Sequence, residues 1–243
     1  MGKHVRSART VEKTRRIVVY TVLSIISIIW VIPFLYLIFQ SLSAVENPGS
    51  FFPASGDWTL KNYGLLFTSS TAPFFRWWLN TLIIAAASAV LQTIFVLMTA
   101  YALSRLRFKG RQGIMKLILL LGMFPGFLGM VVIYMILRLF GLSGSVFSLI
   151  IVYVASSAMS YYIAKGFFDT IPKSLDEAVL IDGGNKNTVF WRVILPMSKP
   201  IIIYTVLVSF TGPWGDFMFA SLLSQGASDM AQKTVAVGLK ALL

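Results

Sequence analysis

Five stretches of this chain, Ile17–Phe39, Leu79–Leu103, Ile114–Leu137, Val146–Ala164 and Ile201–Leu223, are apolar for long enough to cross a hydrocarbon core, which takes about 20 helical residues. The chain has 243 residues, of which 57% are hydrophobic and 12% charged, and its mean hydropathy is +0.79. That is more apolar surface than one water-soluble core of this size holds, so the bilayer is the expected solvent. The expected fold is all-α, a polytopic membrane helical bundle.

The formal net charge of +12 would point to nucleic acid in a soluble protein. Here its distribution decides the matter. With the N-terminus in the cytoplasm, the inside segments 1–16, 104–116 and 165–200 hold sixteen of the 21 Lys and Arg, leaving Lys61, Arg76, Arg138, Lys233 and Lys240 outside. No nucleic-acid partner is expected. The chain has no cysteine and its one histidine is His4, which excludes disulfides, thiolate chemistry, cysteine metal sites and a histidine-based active site. Neither a catalytic nor a metal-binding constellation is expected.

Residues 1–16 read as a basic cytoplasmic tail, and 17–243 as the transmembrane domain. The first span follows Lys3, Arg6, Arg9, Lys13, Arg15 and Arg16 as a secretory signal would, with Ser41-Leu42-Ser43 as a small-x-small site. Its apolar run exceeds a signal core, so a retained anchor is expected; cleavage would leave four spans. Segment 41–78, rich in proline and glycine, reads as an external loop with a short interfacial helix between Trp58 and Phe67. Neither internal repeat nor inverted half is evident, which weighs against a secondary transporter.

The longest inside segment between spans, about 166–199, is predicted to form two short helices. Ser174-Leu175-Asp176-Glu177 has capping-box spacing, so the first should run from Leu175 to Asp182 and stop at Gly183-Gly184. The second should begin near Asn187 or Thr188 and end before Pro196. This helix-turn-helix elbow would present Val179, Leu180, Ile181, Val189, Phe190 and Trp191 to water, a surface that either takes a partner or folds back on the ends of the spans. Glu177 could serve only as a helix cap.

Glu177-Ala178-Val179, followed by Gly183 and then Val193-Ile194-Leu195-Pro196 at the family spacing, resembles the EAA loop of permease subunits in bacterial binding-protein-dependent ATP-binding-cassette importers. Val179 stands where the family has a second alanine and Val193 where it has isoleucine. Asn80-Thr81, Ala100-Tyr101-Ala102-Leu103-Ser104-Arg105, Phe108-Lys109-Gly110-Arg111 and Trp214-Gly215-Asp216-Phe217 look like the carbohydrate-uptake branch, particularly the maltose and maltodextrin type.

The resemblance implies a type I importer permease fold in a bacterial cell membrane. It further implies cytoplasmic ATPase subunits that bind ATP and Mg, a second permease that is a different chain, a solute-binding protein outside and a sugar as cargo. Glu177, Ala178, Asp182, Gly183, Leu195 and Pro196 would then couple to the ATPase. That branch has six spans, and the sequence shows five, so a sixth after Leu223 is expected but missing. By the same resemblance the segment after Leu223, with Gln225 to Gln232 as its tip, would contact the binding protein, or else be a plain connector.

Candidates for the translocation path are Asn80, Tyr101, Tyr153, Trp214 and Asp216. Asp216, the one acid within a span, could instead hydrogen-bond at a backbone break, and Asn80, Gln92 and Thr93 could simply join helices. Gly122, Pro125, Gly126 and Gly129 in the third span, and Gly212, Pro213 and Gly215 in the fifth, loosen their helices. Two other classes stay open: an ion-gradient-driven secondary transporter and a membrane scaffold without transport.

Overall fold

A computed structural model describes residues 7–45, 51–53, 57–69, 72–123, 126–142, 145–224 and 232–242. The chain divides into two compact units, Met1–Ser69 and Ser70–Leu243. In the first, α1 (Ser7–Ser41) exposes apolar side chains on every side, as a helix surrounded by lipid or by other membrane helices does. The loop after it folds back on the helix end. Ala44 N donates to Asp57 O (2.7 Å), Asn62 Nδ2 donates to Ser43 O (2.7 Å), and Phe39 lies among Phe51, Phe52 and Trp58. The short helix expected between Trp58 and Phe67 forms as α2 (Lys61–Thr68).

In the second unit α3 (Phe74–Arg105) is the long continuous helix, and the other expected spans are interrupted. The third is split into α4 (Arg111–Gly122) and α5 (Gly126–Leu139). The fourth is α6 (Val146–Ala155) and α7 (Ala158–Thr170), bent by 45° at Ser156-Ser157, and it runs beyond the expected end at Ala164. Ser157 Oγ donates to Val154 O (2.8 Å), so its hydroxyl competes with the helical ladder at that break. The fifth is α10 (Lys199–Gly215) and α11 (Met218–Ser224), interrupted at Asp216-Phe217 just after Pro213. Among the described residues only α1 and α3 are single helices long and apolar enough to cross a bilayer; two bent pairs, α6 with α7 (45°) and Lys186–Met197 with α10 (78°), each add one if counted as a span. Between these lie the elbow helices α8 (Lys173–Ile181) and α9 (Lys186–Met197), and α12 (Val235–Lys240) follows α11.

Helices α3 and α10 pack through small and polar side chains. On α10 the buried residues Ile201, Thr205, Ser209 and Pro213 recur every fourth position, and α3 buries Ala85, Ser88, Ala89, Gln92, Thr93 and Val96. Thr205 and Ser209 donate within their own helix, to Ile201 O (2.8 Å) and Thr205 O (2.7 Å). The interface therefore rests on close approach of small residues more than on interhelical hydrogen bonds.

Two apolar clusters result. Ile84, Leu149, Val152, Phe219, Leu223 and Val237 build one, from α3, α6, α11 and α12. The other joins Val96, Ala100 and Tyr101 of α3 to Phe168 of α7 and to Val189, Phe190 and Ile194 of the elbow. Beside the first of these Tyr153 Oη donates to Asp216 Oδ2 (2.7 Å), while Phe219 N donates to Asp216 Oδ1 (3.0 Å). Asp216 thus satisfies backbone freed at its own break and ties α6 to it. Tyr153→Phe removes one bond and Asp216→Ala removes two, one of them to backbone. Detergent melting should show the first destabilised by about 1 kcal/mol and the second clearly more, on the usual scale of buried hydrogen bonds.

Candidate functional site

The elbow is framed by its turn. Helix α8 ends in a Schellman cap: Gly183 has φ +81°, its amide donates to Leu180 O (3.2 Å), and Gly184 N donates to Val179 O (2.9 Å). Gly183 is required by its left-handed backbone. Gly184 is required by space, because a Cβ there would lie 2.6 Å from Val179 Cγ1 and 2.8 Å from Val179 O. The tandem glycine carried this signal in the sequence, although the family spacing singles out only Gly183.

The expected capping box at Ser174 and Glu177 does not form. Helix α8 starts at Lys173 behind Pro172 and has no side-chain cap, which puts Ser174 inside the first turn and leaves Glu177 exposed, with no hydrogen bond or ion pair among the described residues. A capping box appears on α9 instead: Thr188 N donates to Asn185 Oδ1 (2.9 Å), and Asn185 N donates to Thr188 Oγ1. Helix α9 also passes the stop expected before Pro196, continuing to Met197. Residues Phe190–Ile194 form a π turn in which Leu195 N donates to Phe190 O, and the wider turn relieves the crowding a proline ring meets against the carbonyl four residues back.

The six apolar residues expected at the surface divide between two faces. Val189 and Phe190 are buried against Tyr101, with rings of Tyr101 and Phe190 4.9 Å apart, and Val179 is half-buried behind them. Leu180, Trp191 and Ile181 stay exposed, Ile181 at 85%. Glu177, Ala178 and Ile181 share the outward face of α8, with Asp182 and Gly183 exposed at its end. On the second helix Leu195 is half-buried and Pro196 exposed.

The inward side is held by α3. Tyr101 Oη donates to Lys186 O (2.6 Å), Ser104 Oγ donates to Asp169 Oδ1 (2.6 Å), and Arg105 Nη2 donates to Ile171 O (2.7 Å). Arg105 Nε lies 3.0 Å from Asp176 Oδ2, with the arginine side chain 3% and the aspartate 16% exposed. Lys165 Nζ reaches Asp169 Oδ2 at 2.5 Å. The sequence alone shows Arg105 as one cation of an inside segment and, with Ser104, as part of a string resembling the carbohydrate-uptake branch, and gives Ser104, Asp169 and Asp176 no role of their own. Tyr101, a candidate for the translocation path, is buried in the cluster that joins α3 to the elbow, with its hydroxyl engaged.

The other path candidates separate as well. Asn80 Nδ2 donates to Lys233 O (3.1 Å) and so helps to fasten the segment before α12 to α3. Trp214 is half-buried with its ring 6.3 Å from Trp78, and its Nε1 has no hydrogen-bond partner among the described residues. Gln92 and Thr93 are buried in the α3 face described above. Gln232 is exposed, whereas Gln225 and Pro125 lie outside the described residues. No group of three or more His, Cys, Asp or Glu suited to a metal occurs among the described residues.

Residues 92–236, from the middle of α3 through the elbow into α12, match the family model for the binding-protein-dependent transport system inner membrane component. The maltodextrin transport system permease protein MdxG of Bacillus subtilis (strain 168) is 31% identical over 239 residues, 98% of this chain and 84% of that one. The galactooligosaccharides transport system permease protein GanQ of the same strain is 34% identical, over 84% of this chain and 73% of its own length. The crystal structure of a bacterial ABC transporter involved in the import of the acidic polysaccharide alginate superposes with a TM-score of 0.80 at 25% identity, covering 95% of this chain and 80% of that chain.

These define a membrane-embedded transport subunit, not an enzyme. The chain belongs to the family of binding-protein-dependent transport system inner membrane components.

Proposed function

We propose that this chain is a permease subunit of an ATP-driven importer of a sugar or oligosaccharide, in a bacterial plasma membrane with its N-terminus in the cytoplasm. The elbow α8–α9 then lies on the cytoplasmic side and seats on a separate ATPase subunit that binds ATP and Mg. The observation that carries this reading is the two-sided elbow. Its inward face is packed and hydrogen-bonded, while Glu177, Ala178 and Ile181 on α8 and Trp191 on α9 face outward and exposed. An 85%-exposed isoleucine on a short helix is what a docking site offers. The names of MdxG and GanQ support an oligosaccharide as cargo.

Such a subunit makes and breaks no bonds. It converts differential binding by the ATPase in two nucleotide states into two arrangements of the spans. Trp214 beside Trp78, together with Asp216, remains the proposed sugar-facing part of the path, and Gln232 the proposed contact with the binding protein. Gently purified from its native membrane, the tagged chain should bring down an ATPase, a second permease and a solute-binding protein, and the reconstituted set should take up oligosaccharide only with ATP inside. Repeated recovery of the chain alone, with uptake driven by an ion gradient, would refute the reading.

A further inference from the structure

The elbow is joined covalently to α7 and α10, yet its polar fastenings lead elsewhere. Tyr101, Ser104 and Arg105 stand at positions i, i+3 and i+4 on one face of α3, and each grips a different part of the elbow region: the head of α9, the last turn of α7, and the 171–176 corner. Helix α8 has no fully buried residue; Val179 and the Arg105–Asp176 pair are what hold it down. One guanidinium thus spans two pieces of chain, the carbonyl of Ile171 and the carboxylate of Asp176.

The choice of α3 as the gripping element has a mechanical meaning. In the unit Ser70–Leu243, α3 is the one helix among the described residues that runs unbroken through both apolar clusters, from Ile84 to Tyr101. The other long segments are interrupted near Met123, at Ser156-Ser157 and at Asp216-Phe217. A continuous helix of 32 residues, about 48 Å long, moves as a rod, whereas a broken one absorbs displacement at its break.

We propose that Arg105 is the positioning residue through which movement of the elbow is delivered to α3, so that α3 and not the covalently attached α7 and α10 carries the stroke across the membrane. This rests on the reading of the elbow as the ATPase seat. It assigns Arg105 no contact with ATPase or cargo; its task is to keep α8 and α3 in one rigid body.

The test uses the complete reconstituted importer and reads solute moved per ATP hydrolysed. Arg105→Gln should keep ATPase bound and hydrolysing within about twofold, while solute per ATP falls about tenfold, within the usual range of a coupling effect. Asp176→Asn should do the same. Arg105→Lys, which keeps the charge but not the fork, should recover part of the ratio, and exchanging the pair as Arg105→Asp with Asp176→Arg should exceed either single change. Tyr101→Phe, which keeps the ring against Phe190 and loses only the bond to Lys186 O, gives a milder fall in the same ratio and serves if the arginine variants do not fold. An unchanged ratio in folded Arg105→Gln, or equal losses in transport and hydrolysis, would overturn the inference. Failure of the unmodified chain to retain an ATPase would instead sink the reading of the elbow, so the two failures are distinguishable.

Discussion

Gly238→Ala should destabilise this protein by about 2 kcal/mol or more, although helix propensity alone says it should stabilise α12 by about 1 kcal/mol. The sign is decided by Trp77. That indole is fully buried, and a Cβ on Gly238 would lie 2.2 Å from its Cδ2 and 2.3 Å from its Cε3. A flexible chain end would step aside; a rigid ring enclosed on every side cannot. Helix α12 must therefore lift off α3, loosening the bonds beside it, Val235 N donating to Thr81 Oγ1 (3.0 Å) and Asn80 Nδ2 to Lys233 O. Thermal unfolding in detergent should show a melting temperature several degrees lower. The double variant Trp77→Leu/Gly238→Ala should be less destabilised than the sum of its single changes, because Trp77→Leu makes the room that the added methyl group needs. An unchanged or raised melting temperature for Gly238→Ala would show that the close approach does not exist.

Substitution on the outward face of the elbow should have the opposite signature, a large loss of partner and no loss of fold. Ile181→Ser removes a side chain that is 85% exposed, so the chain alone loses almost nothing. If Ile181 is a central anchor on the ATPase, its truncation costs about 2 kcal/mol of association, roughly thirtyfold in affinity. Phe190→Ala is the contrasting variant. Phe190 is buried against Tyr101, and its loss should lower stability by about 3 kcal/mol before any effect on association is read. Quantitative recovery of ATPase on the purified, folded variants separates the two. Full recovery with Ile181→Ser would remove Ile181 from the interface.

The elbow was largely legible because its punctuation is local. Pro172 and the Gly183-Gly184 pair fix the first helix and the turn within a few residues, whatever else the chain does, while the second helix, expected to begin near Asn187 or Thr188, starts at Lys186 behind the Asn185 cap. The faces were less legible. A six-residue apolar inventory does not say that Val189 and Phe190 turn inward while Ile181 and Trp191 turn outward, since that follows from the π turn and from where α3 lies. The breaks near Met123 and at Asp216-Phe217 fall beside the glycines and prolines read as loosening the third and fifth spans, whereas the one in the fourth was hidden: a hydropathy window averages Ser156-Ser157 into an apolar run, and length does not register a 45° bend.

Arg105 was illegible as a clamp because its partner Asp176 lies far along the chain, so in sequence it is one cation among several in a basic loop. Asn80 and Tyr101 show the converse. A polar group in an apolar span looks the same whether it faces a path or satisfies a backbone group nearby, and here both bind carbonyls, of Lys233 and Lys186.

The central claim is that the outward face of α8 is the seat of an ATPase, and the absence of cysteine from the sequence makes it directly measurable. With Ile181→Cys as the single thiol, carrying a photoactivatable maleimide in the native complex, irradiation should join this chain to an ATP-binding-cassette ATPase, with a yield that changes between nucleotide-free and ATP-bound states. Crosslinks only to lipid or to other parts of this chain, in a complex shown to contain the ATPase, would contradict it.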